Sequence, residues 1–262
     1  MKNFTKFAIG AVALSGAAYA DVDVTAYSGA HTNYIFRGAD AFNLGDDISK
    51  GGSLMDFGLD VTGSCDCGLD WFLGTWYGAT QQGRQRDEFD IFGGVSKDFG
   101  FGVVELGYIT YNFINGDNPA PHGTGFNPSS NGEIFLGLST GYAGFDLGLR
   151  TFYGVQGVAR HNTTIEGTIG YSVEVFNTII GLEAKAGMFA GPGVVNSAGL
   201  SNNLNGASSI DGLAYQSIKA STDISLADDI TFSPYVAYHQ SAEELVNGLD
   251  GFVGGATFAY NF

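Results

Sequence analysis

The sequence is poor in long apolar runs, cysteine, proline and basic residues. It has 2 cysteines, 5 prolines and 11 Lys and Arg residues in a chain of 262. After residue 20, no segment is long and apolar enough for a transmembrane helix, which needs about 20 such residues. Any membrane location must therefore use β-strands, because only helices and closed barrels satisfy their backbone hydrogen bonds inside lipid.

The shortage of basic residues also limits the partners. Asp and Glu number 27, and the formal net charge is −16. Nucleic-acid phosphates are bound by Lys and Arg, so we expect no nucleic-acid partner. What the chain has in abundance is glycine, with 41 residues, together with 21 phenylalanines and 13 tyrosines. This composition suits a β protein with closely packed strands and short turns.

The two cysteines, Cys65 and Cys67, are separated by one residue. Two thiols alone are a poor zinc site, and a disulfide between them closes a tight ring. We expect a turn without a catalytic role, and the sequence leaves open whether a disulfide staples that turn.

The N-terminus has the three parts of a secretory signal peptide. Lys2 and Lys6 supply the positive charge, residues 7–16 form a short apolar run, and Ala18-Tyr19-Ala20 is an A-x-A cleavage site. We expect residues 1–20 to be removed and residues 21–262 to form the mature domain. The formal charge then changes from −16 to −18, because two lysines leave and no acidic residue does.

The rest of the chain alternates apolar and polar residues in segments of about ten, which is the period of a strand with two different faces. In one segment, Met55, Phe57 and Leu59 alternate with Asp56 and Asp60. About twelve such segments follow one another, an even number as in single-chain bacterial barrels. The first is predicted to run from Val22 to Phe36 and the last to end at Phe262. The weakest is the tenth, with Ala214, Ile218 and Ala220 on its apolar face.

Charge and loop length favour a transmembrane barrel over a soluble sandwich. No charged residue falls on the apolar faces, as lipid exposure requires. Connections also alternate between short and long, the asymmetry of periplasmic turns and extracellular loops. Aromatic residues cluster at the predicted strand ends, where they would form two interfacial girdles: Tyr34, Phe36, Tyr77, Tyr108, Tyr153 and Tyr238 near long connections, and Tyr171 and Phe262 at the opposite rim. The fold class is therefore all-β: a single antiparallel up-and-down barrel of about twelve strands.

Three segments carry a resemblance to a known family. The first strand ends Asn33-Tyr34-Ile35-Phe36-Arg37-Gly38, and a later hairpin contains residues 88–94 and 105–111. Over residues 22–113 the chain resembles TorF-type putative porins, small proteins of the Gram-negative outer membrane. The resemblance implies a porin-like role but no defined substrate or catalytic residue. The final Ala259-Tyr260-Asn261-Phe262 looks like the signal that the barrel-assembly machinery recognises. This resemblance implies that Tyr260 and Phe262 form the assembly signal.

The polar faces define the candidate pore lining. A lumen rich in acids raises the local cation concentration, which predicts passive diffusion of small hydrophilic solutes or cations. The alternative is a lumen braced by ion pairs between Arg and carboxylates. The predicted inward charges are the acids Asp23, Asp56, Asp60, Asp70, Asp90, Glu105, Glu133, Asp146, Glu166 and Glu183, and the bases Arg37, Arg150, Lys185 and Lys219.

Arg37 has two interpretations. Near the outer end of the first strand, it either lines a constriction and binds solute carboxylates or pairs with an inward carboxylate such as Asp56.

Two other classes of function compete with the channel. A lipid-acting enzyme needs a Ser–His pair on the lipid-facing side, but His31 and His239 are predicted to face inward, and His122 and His161 fall in loops. A structural or adhesion barrel would plug its lumen with long loops such as 114–131 or 190–211. No metal-binding spacing, phosphate loop or nucleophile elbow is found, so we expect no cofactor. The expected partners are outer-membrane lipid and, during biogenesis, periplasmic chaperones and the barrel-assembly machinery.

Overall fold

The computed structural model describes residues 22–37, 39–40, 53–80, 87–114, 131–157, 160–176, 178–190, 212–241 and 250–262. The predicted signal peptide, residues 1–20, lies outside this part of the chain, as does His122. The strands are β1 (Val22–His31), β2 (Ile35–Phe36), β3 (Ala39–Asp40), β4 (Leu54–Ser64), β5 (Asp70–Thr80), β6 (Asp87–Asp98), β7 (Val103–Ile114), β8 (Asn131–Tyr142), β9 (Phe145–Gly157), β10 (Thr163–Val175), β11 (Thr178–Ala190), β12 (Gly212–Thr222), β13 (Ile224–Ser225), β14 (Ile230–Ser241) and β15 (Gly251–Asn261).

Twelve of these strands form one closed antiparallel barrel. From β4 to β12 each strand pairs with the next, β12 pairs with β14, β14 with β15, and β1 closes the ring between β15 and β4. Within the described residues, the short β13 pairs with β14 alone, and β2 pairs with β3 in a separate hairpin. The predicted all-β barrel of about twelve strands is confirmed. Among the described residues, no helix is long and apolar enough to cross a membrane.

The two ends of the barrel differ in the length of their connections. At one end the strands are joined by residues 65–69, 99–102, 143–144, 176–177 and 223–229. At the other end the connections are residues 32–53, 81–86, 115–130, 158–162, 191–211 and 242–250. Three of the latter are much longer than any short turn. The two rims therefore differ as predicted, although the connections 81–86 and 158–162 are no longer than residues 223–229. The rims are called the short-turn end and the long-loop end below.

The outer face of the barrel is a belt of exposed apolar side chains. Successive residues of a strand point to opposite faces, so every second residue of each strand faces outward. The exposed set includes Phe57, Ile91, Leu106, Leu136, Leu149, Ile169, Leu182, Ile218, Val236 and Phe258. Water disfavours such a continuous apolar surface, and a bilayer covers it at no cost. The barrel is therefore a transmembrane one.

The first strand is shorter than predicted, and this is the main correction to the fold. β1 ends at His31. The Thr32 N–H still donates to the Gly254 carbonyl at 2.8 Å, as the next ladder pair would, but the Gly254 N–H donates to the side-chain Oγ1 of Thr32 at 3.0 Å. Asn33 Oδ1 then accepts the N–H of Tyr34 at 2.7 Å. Such local side-chain bonds compete with the strand ladder. The chain therefore leaves the wall and turns into the barrel.

Two predicted orientations were wrong. Tyr34 and Phe36 do not belong to a rim girdle, because they follow the end of β1 and contact inward side chains. Ala214 does not lie on the exposed face: it is fully buried, whereas Leu213 and Ile218 beside it are exposed. The register of β11 and β12 shifts between Gly187 and Met188, and this bulge reverses the alternation at that point.

The β4–β5 turn contains the cysteine pair. Cys65 and Cys67 form a disulfide. The same turn is closed by two backbone bonds, Cys65 N–H to Leu69 carbonyl at 2.9 Å and Gly68 N–H to Cys65 carbonyl at 3.0 Å. Gly68 has φ +72°, a left-handed conformation that favours glycine. The disulfide therefore staples a turn that its backbone already holds.

Candidate functional site

The candidate site is the lumen, and its most unusual feature is a short hairpin inside it. Strands β2 and β3 pair antiparallel, with Phe36 opposite Ala39. Arg37 lies in the turn with φ +49°. Residues 33–37, here called the inner segment, pack against inward side chains of the wall. The Tyr34 ring stacks on Trp76 of β5 at 5.2 Å, and the Phe36 ring meets Tyr111 of β7 edge-on at 5.5 Å.

The Arg37 guanidinium is held by a cage of wall residues. It donates two parallel hydrogen bonds to Glu133 of β8, at 2.9 Å to Oε1 and 2.8 Å to Oε2. Its third contact is with Thr164 Oγ1 of β10 at 3.4 Å, and its Nε lies 3.9 Å from Glu166 Oε1. The guanidinium carbon lies over the ring of Phe152 on β9, 4.1 Å from its centroid.

Burial makes this cage an electrostatically strong site. The side chains of Arg37 and Glu133 are 4% and 5% exposed. A bidentate pair screened from water is much stronger than the same pair at a surface. Two tyrosines complete the arrangement, since Tyr111 donates to Glu133 Oε2 at 3.0 Å and Tyr215 donates to Glu166. Of the two interpretations of Arg37, the observed pairing is with an inward carboxylate, but the partner is Glu133 and not Asp56.

Asp56 belongs to a different group, which we call the acidic wall. Its members are Asp56 and Asp60 of β4 and Glu88 and Asp90 of β6, all of them buried. Asp56 Oδ2 accepts from Trp76 Nε1 at 3.1 Å and lies 3.3 Å from His31 Nε2. Within β4, β5 and β6 the only Lys or Arg is Lys97, which lies in the opposite, outward phase of β6. No cation of these three strands therefore offsets the acidic wall.

The opposite side of the barrel is mixed in charge. In the ring of twelve, β11 lies six strands from β5 in either direction, so β10–β12 face the acidic wall. There Glu183 is the register partner of Lys219, and Lys185 is the register partner of Thr168 beside Glu166. Lys219 Nζ also lies 5.3 Å from the centroid of the Tyr235 ring. Acids and bases alternate here, whereas the acidic wall carries one sign only.

The remaining predicted residues lie toward the short-turn end. Arg150 of β9 donates to Glu105 of β7 at 2.8 Å across the β8 residue Gly137. These side chains are 30% and 23% exposed, so water screens the pair. Asp146, at the beginning of β9, is exposed near the β8–β9 turn. The structure thus places twelve of the fourteen predicted charges in three groups: the cage with Arg37, Glu133 and Glu166; the acidic wall with Asp56, Asp60 and Asp90; and the remaining Glu105, Asp146, Arg150, Glu183, Lys185 and Lys219. The other two, Asp23 and Asp70, are exposed at the short-turn ends of β1 and β5.

Sequence reasoning missed several members of the site. Glu88 lies two residues before Asp90 and therefore faces the same side of β6. Trp76, Tyr111 and Tyr215 also point inward, although aromatics were expected mainly on the outer face and at the rims. Their only sequence signal is phase, because each shares the parity of the polar residues on its strand.

Two of the histidines, His31 and His161, have hydrogen-bond partners in the described part of the chain. His31 Nδ1 contacts Tyr235 Oη at 2.9 Å, and His161 Nδ1 in the β9–β10 connection contacts Tyr153 Oη at 3.1 Å. His239 lies in the inward phase of β14, opposite Ser217.

No protein-family model matches the sequence, and no curated protein matches it. Among solved structures, the chain is similar to the KdgM porin, with a TM-score of 0.47 and 9% identity over 92% of this chain and 99% of that one. It is also similar to the COG4313 outer membrane channel from Pseudomonas putida F1, with a TM-score of 0.49 and 8% identity over 100% of both chains. A third is the translocator domain of the autotransporter NalP from Neisseria meningitidis, with a TM-score of 0.41 and 12% identity over 95% of this chain and 90% of that one.

These structures are outer-membrane barrels that include a porin, a channel and a translocator. At TM-scores below 0.5 and identities of at most 12%, the likeness carries no argument about this chain, and the particular resemblance to TorF-type porins stays a prediction. The function is therefore inferred from the lumen of this chain.

Proposed function

We propose that this protein is an outer-membrane channel for the passive diffusion of small hydrophilic solutes and ions, with a preference for cations. Its apolar belt would face outer-membrane lipid, and the mature chain, residues 21–262, would reach that membrane by signal-peptide export, periplasmic chaperones and the barrel-assembly machinery. The observation that carries the proposal is the acidic wall, where the carboxylates of Asp56, Glu88 and Asp90 are buried and the inward positions of β4–β6 hold no Lys or Arg.

The physical reason is electrostatic. Carboxylates on a low-dielectric wall attract cations and repel anions over the length of the wall. The mixed wall of β10–β12 offers little opposing field, because Glu166 and Glu183 lie beside its lysines. Cations would therefore follow the acidic wall.

Recordings in planar bilayers test this proposal. Protein purified from the outer membrane of an expression host should give channels whose reversal potential in a KCl gradient is displaced toward the potassium equilibrium potential. The double substitution Glu88→Gln with Asp90→Asn should move it toward zero. Asp66→Asn, which removes an exposed charge from the β4–β5 turn, is the matched control and should leave it almost unchanged. An anion preference of the unmodified protein would overturn the cation assignment.

A second candidate is a structural or adhesion barrel with a plugged lumen. It is favoured by the inner segment, whose aromatic and ionic contacts occupy the space inside β5 and β7–β10. Absence of any conductance above the membrane background, from protein that migrates as a folded barrel, would support this candidate against the channel.

A further inference from the structure

The cage around Arg37 has the composition of a binding site for a small cation. Glu133 presents both carboxylate oxygens in one plane, Phe152 presents a ring face, and Glu166 supplies a second negative charge 3.9 Å from the guanidinium nitrogen. A planar guanidinium uses all three at once, as a bidentate partner and as a cation over an aromatic ring. An ammonium cannot make the two parallel bonds.

The cage and its occupant belong to different parts of the molecule. Glu133, Phe152, Thr164 and Glu166 stand on three adjacent strands, β8, β9 and β10, whose ladders hold them in place. Arg37 instead lies in the turn between β2 and β3, each of which has two residues. Strand ladders position side chains more rigidly than a short hairpin does. The wall would therefore keep the geometry of the cage if Arg37 left it.

We propose that this cage is a binding site for the guanidinium group of a cationic solute, such as free arginine or a short arginine-containing peptide, and that Arg37 occupies it as an internal stand-in. This inference rests on the proposed function, since the solute must enter the lumen. It names the solute class for which the channel is selective. An arriving guanidinium exchanges with Arg37, which displaces the inner segment from the wall of β8–β10.

Removing the stand-in provides a direct test. Arg37→Ala leaves the wall carboxylates and the Phe152 ring intact and empties the cage. Methylguanidinium at millimolar concentration should then raise the thermal unfolding midpoint of the Arg37→Ala barrel in a saturable manner. Methylammonium and urea, which lack either the planar fork or the charge, should not. Unmodified protein, measured in parallel, reports any general effect of the additives.

Two further variants separate a built site from nonspecific binding. Arg150→Ala is the matched control, because Arg150 also pairs with a carboxylate and lies 5.3 Å from a phenylalanine ring centroid, but the pair is about a quarter exposed to water. It should show no saturable response. Adding Glu133→Gln to Arg37→Ala should weaken methylguanidinium binding at least about tenfold, since a charge-assisted bidentate pair is lost.

Each outcome bears on the inference. If Arg37→Ala folds poorly alone, its folding yield is measured with each additive, and recovery by methylguanidinium but not by methylammonium supports the site. A folded Arg37→Ala barrel without a saturable response, or an equal response of Arg150→Ala, overturns the inference. Saturable binding by a barrel that conducts no ions would instead refute the channel and still support the binding site.

Discussion

Phe72 of β5 and Phe135 of β8 stack inside the barrel, with ring centroids 6.2 Å apart and planes inclined by 22°. Two strands, β6 and β7, separate them in the sheet. The rings meet because the intervening inward positions are glycines: the Phe72 ring lies over Gly94, and the Phe135 ring lies over Gly107. Side chains at these two positions would keep the rings apart, so the glycines determine how the lumen is filled at this depth.

The first prediction concerns Gly107. A Cβ there would lie 2.3 Å from Phe135 Cζ and 2.7 Å from the Gly93 carbonyl oxygen, and the backbone oxygen cannot move aside. We expect Gly107→Ala to lower the free energy of unfolding by about 1–3 kcal/mol, the usual cost of overpacking. Gly137→Ala is the control on the same face, since its nearest contacts would be ordinary ones at 3.5 Å. Urea unfolding of the folded barrels measures both, and equal losses would contradict the prediction.

The second prediction compares two ion pairs with the same chemistry. Glu133 and Arg37 are almost fully buried, whereas Glu105 and Arg150 are about a quarter exposed. Breaking a buried pair leaves an uncompensated charge and costs about 3–5 kcal/mol. An exposed pair contributes about 0–1 kcal/mol. We therefore expect Glu133→Gln to destabilise the barrel by several kcal/mol and Glu105→Gln hardly at all. Similar midpoints in urea for the two variants would show that Arg37 does not depend on Glu133.

The sequence predicted the wall of this barrel well and its interior poorly. Period-2 alternation depends only on which face of a strand meets lipid, so twelve strands and their outward residues were readable from local patterns. The departure of the chain from the wall at Thr32 could not be predicted from local patterns. It depends on hydrogen bonds between Thr32 and Gly254, which are more than 200 residues apart in the sequence. The segment Tyr34-Ile35-Phe36-Arg37 itself has strand-like alternation, and nothing local distinguishes it from a continuation of β1.

The same limit explains the partner of Arg37. The sequence alone places the nearest inward carboxylate on the neighbouring strand, at Asp56. Once the inner segment leaves the wall, Arg37 reaches strands that are distant in the ring, and Glu133 becomes its partner. The bulge that buries Ala214 was unreadable for a similar reason, since it results from the register between β11 and β12 and not from the residues of β12 alone.

The third prediction concerns the disulfide. A bridge between Cys65 and Cys67 closes a loop of three residues, and a loop this short loses little conformational entropy in the unfolded chain. The turn also keeps its two backbone bonds without the bridge. We expect the double substitution Cys65→Ser with Cys67→Ser to change the free energy of unfolding by less than about 2 kcal/mol. Loss of the folded, heat-modifiable form in this variant would mean that the bridge is needed for folding.

The fourth prediction concerns the C-terminal residue. Phe262 follows the last residue of β15, donates its N–H to the Val24 carbonyl at 3.0 Å, and packs edge-on against Tyr260 at 4.6 Å. It therefore lies at the seam where β15 and β1 close the ring. We expect deletion of Phe262 to reduce the amount of barrel in the outer membrane severalfold, while signal-peptide cleavage and appearance in the periplasm continue.

Phe252→Ala is the matched control for this deletion. Phe252 belongs to the same strand and is 72% exposed, compared with 74% for Phe262, but it lies at the opposite, long-loop end. If Phe262 acts through recognition and closure at the seam, and not through general hydrophobicity, only its deletion should lower assembly. Equal defects in the two variants would assign the effect to lost apolar surface. Normal assembly without Phe262 would show that Phe262 is not part of the assembly signal.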